Sequence, residues 1–311
     1  MPEGPLECDS TPVLSKGPFT FDRWRKCGGV YLSNLTYLPA RSQTRERWAI
    51  VIPAYNESES LPDLLAELEQ VQSGQSHYDF TVVVVDDGSK DATWSWLLRK
   101  RARSLNLVAL HHVQNLGVGP AMQTGIRYAY ENGFDGTIQI DGDGQHPPQG
   151  IMQLLNALQE SGADAAIGSR YLQGSRNVST PVRELLSRFF AATMRIWGLS
   201  LTDATSGFRA YRRSVMHIAL TCYSEDFPDL DVLVLLARRG LRIVEIPVTM
   251  RRRRHGTTTI SGVRAVFFVL KGVLSIFVSA FRPLSDFDRD FPVRRPSLKQ
   301  GLNGGKKEHV G

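Results

Sequence analysis

Two carboxylates separated by a single residue, Asp141 and Asp143, stand at the end of an apolar run in "IQIDGDGQHPPQG". Alternate residues of an extended segment share a face, so the spacing places both carboxylates on one side of the turn that follows the run. Oxygen ligands of this kind suit Mg2+ or Mn2+, and a cation so held would in turn hold a diphosphate. Gln145, two residues further and on the same side, adds a neutral oxygen, while Gly142 and Gly144 leave room for close approach of a ligand. Pro147 and Pro148 stiffen the turn and lead into the next helix. Taken alone, Asp-x-Asp is more often an acidic turn capping a helix, because such triplets are common. Other chemistries fit less well. An EF-hand loop starting at Asp141 requires an acid at its twelfth position, which is Met152. No G-x-x-x-x-G-K-[ST] phosphate loop occurs, and "NLGVGPAMQTG" has Asn115 where the dinucleotide fingerprint needs its first glycine.

The elements that must position these acids alternate in type. Trp48 to Ile52 reads as a buried strand ended by Pro53, and "SESLPDLLAELEQVQ" as a helix capped by Ser58 or Ser60. "FTVVVVDDGS" is a second apolar strand, stopped by Asp86, Asp87 and Gly88, and "DATWSWLLRKRAR" is a helix. "LVALHHV" is a strand, "GPAMQTGIRYAYENG" a helix, and "GTIQI" the strand that delivers the acids. Continuous apolar runs indicate a mostly parallel sheet covered on both faces, and the alternation indicates a doubly wound α/β layer. Ligands of such sheets bind outside the carboxyl ends of the strands. Three strands here end in polar clusters, "PAYNE", "DDGS" and "DGDGQH", which therefore converge on one rim. Beyond residue 150 come the helix "QGIMQLLNALQESG", the strand "DAAIGSRY" and an arginine-studded amphipathic helix from Val182 to Leu201. "TDATSGFRAYRRSVMHIAL" reads as a turn entering a helix, followed by the helix "DLDVLVLLARRG" and the strand "RIVEIPVTM". The expected organisation is a flexible extension over 1–46, an α/β domain over 47–260, an amphipathic helix over 261–282 and a disordered tail over 283–311.

A chain of 311 residues with 42% hydrophobic and 22% charged residues can bury a full core. Its formal net charge of +6 fits an anionic partner such as a phosphate or a lipid headgroup. Nucleic acid is excluded, because its phosphates would be repelled by three acidic strand ends on one rim. Cys8, Cys27 and Cys222 show no paired spacing, which argues against a disulfide framework or a zinc site and fits a reducing compartment. The opening "MPEGPLECDS" is polar and acidic and predicts no signal peptide.

The motifs "VIPAYNE", "VVVDDGS", "NLGVGPAMQTG", "DGDGQHPP", "DATSGFRAYRR" and the R-x-x-G element in "RRRRHG" occur in this order between about Trp48 and Phe281. The chain in this respect resembles family-2 glycosyltransferases of the GT-A fold, in the branch of polyprenyl-phosphate (dolichyl-phosphate) mannose or glucose synthases. The resemblance implies that Pro53, Tyr55, Glu57 and either Asp86 or Asp87 meet the nucleotide of a GDP- or UDP-hexose donor. It further implies that Asp141, Gly142, Asp143 and Gln145 hold Mg2+ or Mn2+ and the diphosphate, and that Arg253 clamps phosphate. Asp143 and Arg253 would be the catalytic pair, with Arg170, Arg176 and Ser206 facing the acceptor. Read without the resemblance, Glu57 and Asp86 are helix or turn caps and Arg253 belongs to a solvated charge run. The chain departs from the family in carrying Thr257-Thr258-Thr259 where Ser-Lys often follows R-x-x-G, and Asp229 and Asp231 where a glutamate is common.

The implied reaction is metal-dependent, inverting transfer of a hexose to polyprenyl phosphate. The alternative is transfer to a hydroxyl of a soluble acceptor, which needs a base; Asp229 and Asp231 are the candidates, although they read more readily as caps of the helix that follows. "GVRAVFFVLKGVLSIFVSAF" has the length of a membrane span, yet Arg264 and Lys271 interrupt it and suggest a helix lying at the interface. The helix from Val182, with Arg183, Arg188 and Arg195, admits that reading or one of a core helix with a solvated basic face. Together these predict a cytoplasmic protein attached peripherally to the cytoplasmic face of a membrane.

Overall fold

Each apolar run is buried on both faces, and the chain covers it accordingly. The computed structural model describes residues 30–33, 45–74, 76–100, 105–172, 181–222, 228–251, 272–278 and 281. In chain order the elements are β1 (Val30–Ser33), β2 (Glu46–Ala54), α1 (Leu61–Ser73), β3 (Tyr78–Asp86), α2 (Thr93–Arg99), β4 (Leu107–His112) and α3 (Val118–Glu131). They continue with β5 (Gly136–Gln139), α4 (Gly150–Ser161), β6 (Ala165–Ser169), α5 (Pro181–Arg195), β7 (Arg209–Arg212), α6 (Arg213–Cys222), α7 (Pro228–Arg238) and β8 (Ile243–Pro247). Trp48, Ile50 and Ile52 of β2 and Val82 and Val84 of β3 enter one core, with α1, α2 and α4 above them. Ala49 and Val51, with Val83 and Val85, enter the other, under α3, α6 and α7. The period of two sends successive side chains to opposite faces, so a strand that is apolar at every position belongs in the middle of a layer.

The described strands form one sheet in the order β1-β4-β3-β2-β5-β7-β6-β8. β2, β3, β4 and β5 run parallel, as do β6 and β8, whereas β7 lies antiparallel between β5 and β6. From β2 the chain winds outward through β3 to β4 and then returns to the other side of β2 as β5. The switch point thus falls between β2 and β5, where "PAYNE" and "DGDGQH" emerge side by side.

Four details differ from the sequence reading. Within the segment expected to be a flexible extension, β1 pairs antiparallel with β4 from Val30↔His112 to Ser33↔Ala109 and forms the sheet edge. "RAYR" is the strand β7 rather than the entry to a helix, and its Arg209 is fully buried. That burial is satisfied locally: Nε donates to the Ser206 carbonyl at 2.6 Å and Nη2 to that of Ala204 at 2.8 Å. Pro53 lies within β2 rather than ending it, paired with Val85, and it follows the last β5 partner of that strand, Val51. Helix α5 ends at Arg195 and so is shorter than expected.

Helix α3 approaches the sheet most closely at Gly125, where a Cβ would lie 2.3 Å from Cγ1 of Val51. Gly125→Val should therefore lower the unfolding free energy by about 1–3 kcal/mol, the cost of overpacking, and a urea titration with an unshifted midpoint would contradict the packing.

Candidate active site

The loop after β2 is fastened to the loop after β3. The amide of Asn56 donates to Ser89 Oγ at 2.9 Å, that of Lys90 to Asn56 Oδ1 at 2.8 Å, that of Glu57 to Thr93 Oγ1 at 2.9 Å and that of Ser58 to Asp91 Oδ2 at 3.1 Å. Asn56 sits at φ 56°, a left-handed conformation that Asn tolerates better than most residues. Tyr55 stands out from the loop, 40% exposed. Ser60 occupies the N-cap position of α1, as expected, but makes no side-chain cap bond; its hydroxyl instead donates to the Glu57 carboxylate.

Asp86 and Asp87 are both buried. Asp86 Oδ1 accepts from the Ser89 amide at 3.3 Å, and Oδ2 lies 2.7 Å from His111 Nδ1. The His111 ring stacks on Trp94 with centroids 4.6 Å apart. Asp87 accepts from His112 Nδ1 at 2.7 Å and from the amides of Leu116 at 3.0 Å and Gly117 at 2.7 Å. Burial pushes the Asp87 carboxyl up, but these hydrogen bonds outweigh it and hold it below the ordinary carboxylate range. Neither aspartate presents an open carboxylate at the rim; in this geometry they shape the loops around it. The sequence reading missed the two histidines. The available signal was their adjacency at the end of an apolar strand, opposite two adjacent aspartates.

The acid turn lies directly against the loop after β2. The Ile140 amide donates to the Val51 carbonyl at 3.1 Å, and a Cβ on Gly142 would meet the Pro53 carbonyl oxygen at 3.0 Å and Glu57 Cγ at 3.5 Å. Pro53, Glu57, Asp141, Gly142 and Asp143 are thus brought together. The two carboxylates are not equivalent, although the spacing predicted a common side. The Asp141 side chain is 36% accessible, whereas Asp143 is 3% exposed and accepts from the Gln145 amide at 3.0 Å in an Asx turn. The Gln145 carbonyl accepts from the Arg251 amide at 2.9 Å, and the Arg251 guanidinium pairs with Glu67 at 2.8 and 2.7 Å. The basic run is therefore anchored to the acid turn at its first arginine; Arg253 and Thr257–Thr259 lie outside the described residues.

Among the described residues no three His, Cys, Asp or Glu side chains converge as a protein-only metal cage. Mg2+-type sites commonly use one or two carboxylates and complete their shell with waters and substrate phosphates. The side chains here are compatible with that form, with the partly accessible Asp141 carboxylate and Asp143 and Gln145 beside it in sequence.

Two residues expected at the acceptor are committed inside the protein. Arg170 is buried, and its Nε and Nη2 donate to the two carboxylate oxygens of Asp203 at 2.6 and 2.7 Å, with Nη2 also reaching Thr205 Oγ1 at 2.9 Å. Burial raises the Asp203 carboxyl, but Arg170 and the Ser187 hydroxyl bring it below the ordinary range. Ser206 is buried and donates to the Gly168 carbonyl at 2.6 Å. Arg170 and Ser206, both expected at the acceptor, are thus buried, with Arg170 ion-paired to Asp203 and the Ser206 hydroxyl bonded to backbone. Arg176 lies outside the described residues. Asp231 lies within α7 rather than capping it, buried and accepting from Ser275 Oγ at 2.6 Å.

The sequence model described as "Glycosyl transferase family 2" matches residues 49–218, which include all three polar strand ends. The chain is 36% identical over 218 residues to an "Undecaprenyl-phosphate mannosyltransferase" of Micrococcus luteus, covering 68% of this chain and 86% of the relative. It is 32% identical over 230 residues to a "Polyprenol monophosphomannose synthase" of Mycolicibacterium smegmatis, covering 72% and 84%. Among solved structures, glucosyl-3-phosphoglycerate synthase from Mycobacterium tuberculosis in complex with Mn2+ and UDP-glucose superposes with a TM-score of 0.57. That match covers 77% of this chain and 81% of the other at 18% identity, a likeness of fold.

The depressed Asp203 carboxyl generates a pH prediction. A group whose folded pKa is lowered contributes stability that is present above its unfolded value of about 3.9 and is lost as pH falls through the folded value. Asp203→Asn should flatten that acid limb and lower neutral-pH stability by about 3–5 kcal/mol, since it leaves Arg170 buried without its counter-charge. Urea midpoints measured from pH 7 to pH 3 check both effects, and coincident curves for the two proteins would contradict them.

Proposed function

This chain belongs to glycosyl transferase family 2, and on that premise we propose that it moves a hexose from a nucleotide-sugar to polyprenyl phosphate by a single displacement with inversion. The observation that carries the reading is the packing of the acid turn against the loop after β2 at the switch point, which brings the Asp141 carboxylate beside the loop that bears the exposed Tyr55. The names of the relatives favour mannose as the hexose and a polyprenyl phosphate as the acceptor.

In this reading Tyr55, Pro53 and Glu57 face the nucleotide, and the fastened loops after β2 and β3 hold them in place. Asp141, with Asp143 and Gln145, would hold a divalent cation, whose bound charge neutralises the diphosphate as it departs. An oxygen of the acceptor phosphate attacks the anomeric carbon from the side opposite the diphosphate; the new C–O bond forms as the bond to the diphosphate oxygen breaks. A phosphate monoester, with a second pKa near 6, brings its own anionic nucleophile, so no residue need remove a proton. The burial of Asp231 and its bond to Ser275 argue against its use as the base that a hydroxyl acceptor would require.

Membrane attachment is the second part of the proposal. Helix α5 leaves Leu185 and Phe189 exposed, the turn after it leaves Ile196 exposed, and the helical residues 272–278 with residue 281 leave Val273, Leu274, Phe277, Val278 and Phe281 exposed. The two faces belong to neighbouring elements, because a Cβ on Gly272 would lie 2.6 Å from Phe190 Cζ. Among the described residues no helix is long and apolar enough to cross a membrane, so the fitting mode is a helix lying in the interface.

The test is a panel of labelled nucleotide-sugars with product extracted into organic solvent, with and without polyprenyl phosphate. Extractable product should require the lipid and disappear in EDTA, and Asp141→Asn should lower turnover by at least about 10²-fold. Transfer that persists in EDTA would sink the metal role, and product that stays in the aqueous phase would sink the lipid acceptor. Separately, Phe277→Glu should weaken sedimentation with anionic liposomes, and equal sedimentation of both proteins would remove that face from the docking surface.

A further inference from the structure

The acid turn contains a histidine, His146, whose role the reaction above does not explain. The Asp141 amide donates to His146 Nδ1 at 3.0 Å. An amide can only donate, so Nδ1 is the acceptor and the neutral ring carries its proton on Nε2. Nε2 in turn lies 3.6 Å from Asp141 Oδ2. One imidazole therefore spans the backbone and the carboxylate of the same aspartate. At 3.6 Å the second contact is longer than a hydrogen bond, so the Nε2–H dipole faces the carboxylate without occupying its lone pairs. The ring is itself held: His146 is 5% exposed and stacks on Phe208 with centroids 5.2 Å apart and planes 21° apart. The backbone at Gly207 packs beside both the carboxylate and the imidazole. A Cβ on Gly207 would lie 3.2 Å from Asp141 Oδ1, 3.4 Å from Oδ2 and 3.6 Å from His146 Cε1.

We propose that His146 is a positioning residue: together with the backbone at Gly207 it fixes the Asp141 carboxylate in the orientation that receives a divalent cation. This rests on the metal reading above. It gives "SGF" a task beyond forming a turn, since Gly207 makes the space and Phe208 holds the imidazole that uses it. Asp143 needs no such support, because its own turn restrains it through the Gln145 amide.

The test measures Mn2+ binding directly, by the electron paramagnetic resonance of free Mn2+ titrated with protein in the presence of UDP or GDP. His146→Ala should raise the Kd for Mn2+ by about 10- to 100-fold, the usual effect of removing a partner that orients a metal ligand. His146→Phe preserves the stacking on Phe208 and removes both nitrogens; it should stay folded by circular dichroism and show the same loss. A folded Phe variant that binds Mn2+ like the wild type would overturn the proposal and leave His146 a packing residue. A wild-type protein that binds no Mn2+ with either nucleotide would overturn the metal reading, and the positioning role with it.

Discussion

The 3.0 Å between a Cβ placed on Gly142 and the carbonyl oxygen of Pro53 sets the geometry of the rim. The acid turn can lie against the end of β2 only because this position carries no side chain, and the close approach brings the Asp141 carboxylate next to the loop that bears Tyr55 and Glu57. Because that loop is fastened to the next by four amide hydrogen bonds, a shift of one strand end would drag the others with it. The site is therefore built on the ends of sheet strands restrained from both sides, the arrangement that places polar groups with the least freedom.

Acidic residues around this rim divide into those that hold and one that is open. Asp86, Asp87 and Asp203 are buried and paired with His111, His112 and Arg170. Buried charges are costly unless their hydrogen bonds are made, and each of these makes them. Their effect is directional: Asp87 fixes the turn before α3 through the amides of Leu116 and Gly117. Asp141 is different. Its side chain is more than a third accessible, although an imidazole nitrogen lies 3.6 Å from Oδ2 and the backbone at Gly207 packs beside both oxygens.

The parallel sheet was legible in the sequence because unbroken apolar runs such as Val82–Val85 have no other stable place, and the rim followed from where ligands bind such sheets. The Asp-x-Asp turn and its neighbours "PAYNE" and "DDGS" were legible for the same reason. What escaped was decided by partners distant in sequence. Arg170 reads as a free cation until Asp203, 33 residues later, takes its guanidinium. His111 and His112 read as strand residues until β3 supplies Asp86 and Asp87, 25 residues earlier, at their side. The strand β7 was hidden because its first residue is a buried arginine, satisfied by carbonyls of the turn before it, and no hydrophobic period can register that.

The buried pair of Arg170 and Asp203 also ties the end of β6 to α5 and β8. Asp203 accepts from Ser187 of α5 at 3.0 Å, and its own amide donates to Glu245 of β8 at 2.7 Å. Burial pushes the Arg170 guanidinium, which follows β6, down, but Asp203, and more weakly Tyr171 and Asp141, hold it above its ordinary value. Replacing such a pair by apolar residues is often neutral for stability, so its presence is better explained by orientation. Through Ser187 it ties α5, which exposes Leu185 and Phe189, to the segment beside the acid turn. A surface docked on that face would then stand at a constant distance from Asp141, which is what an enzyme drawing its acceptor from a bilayer requires.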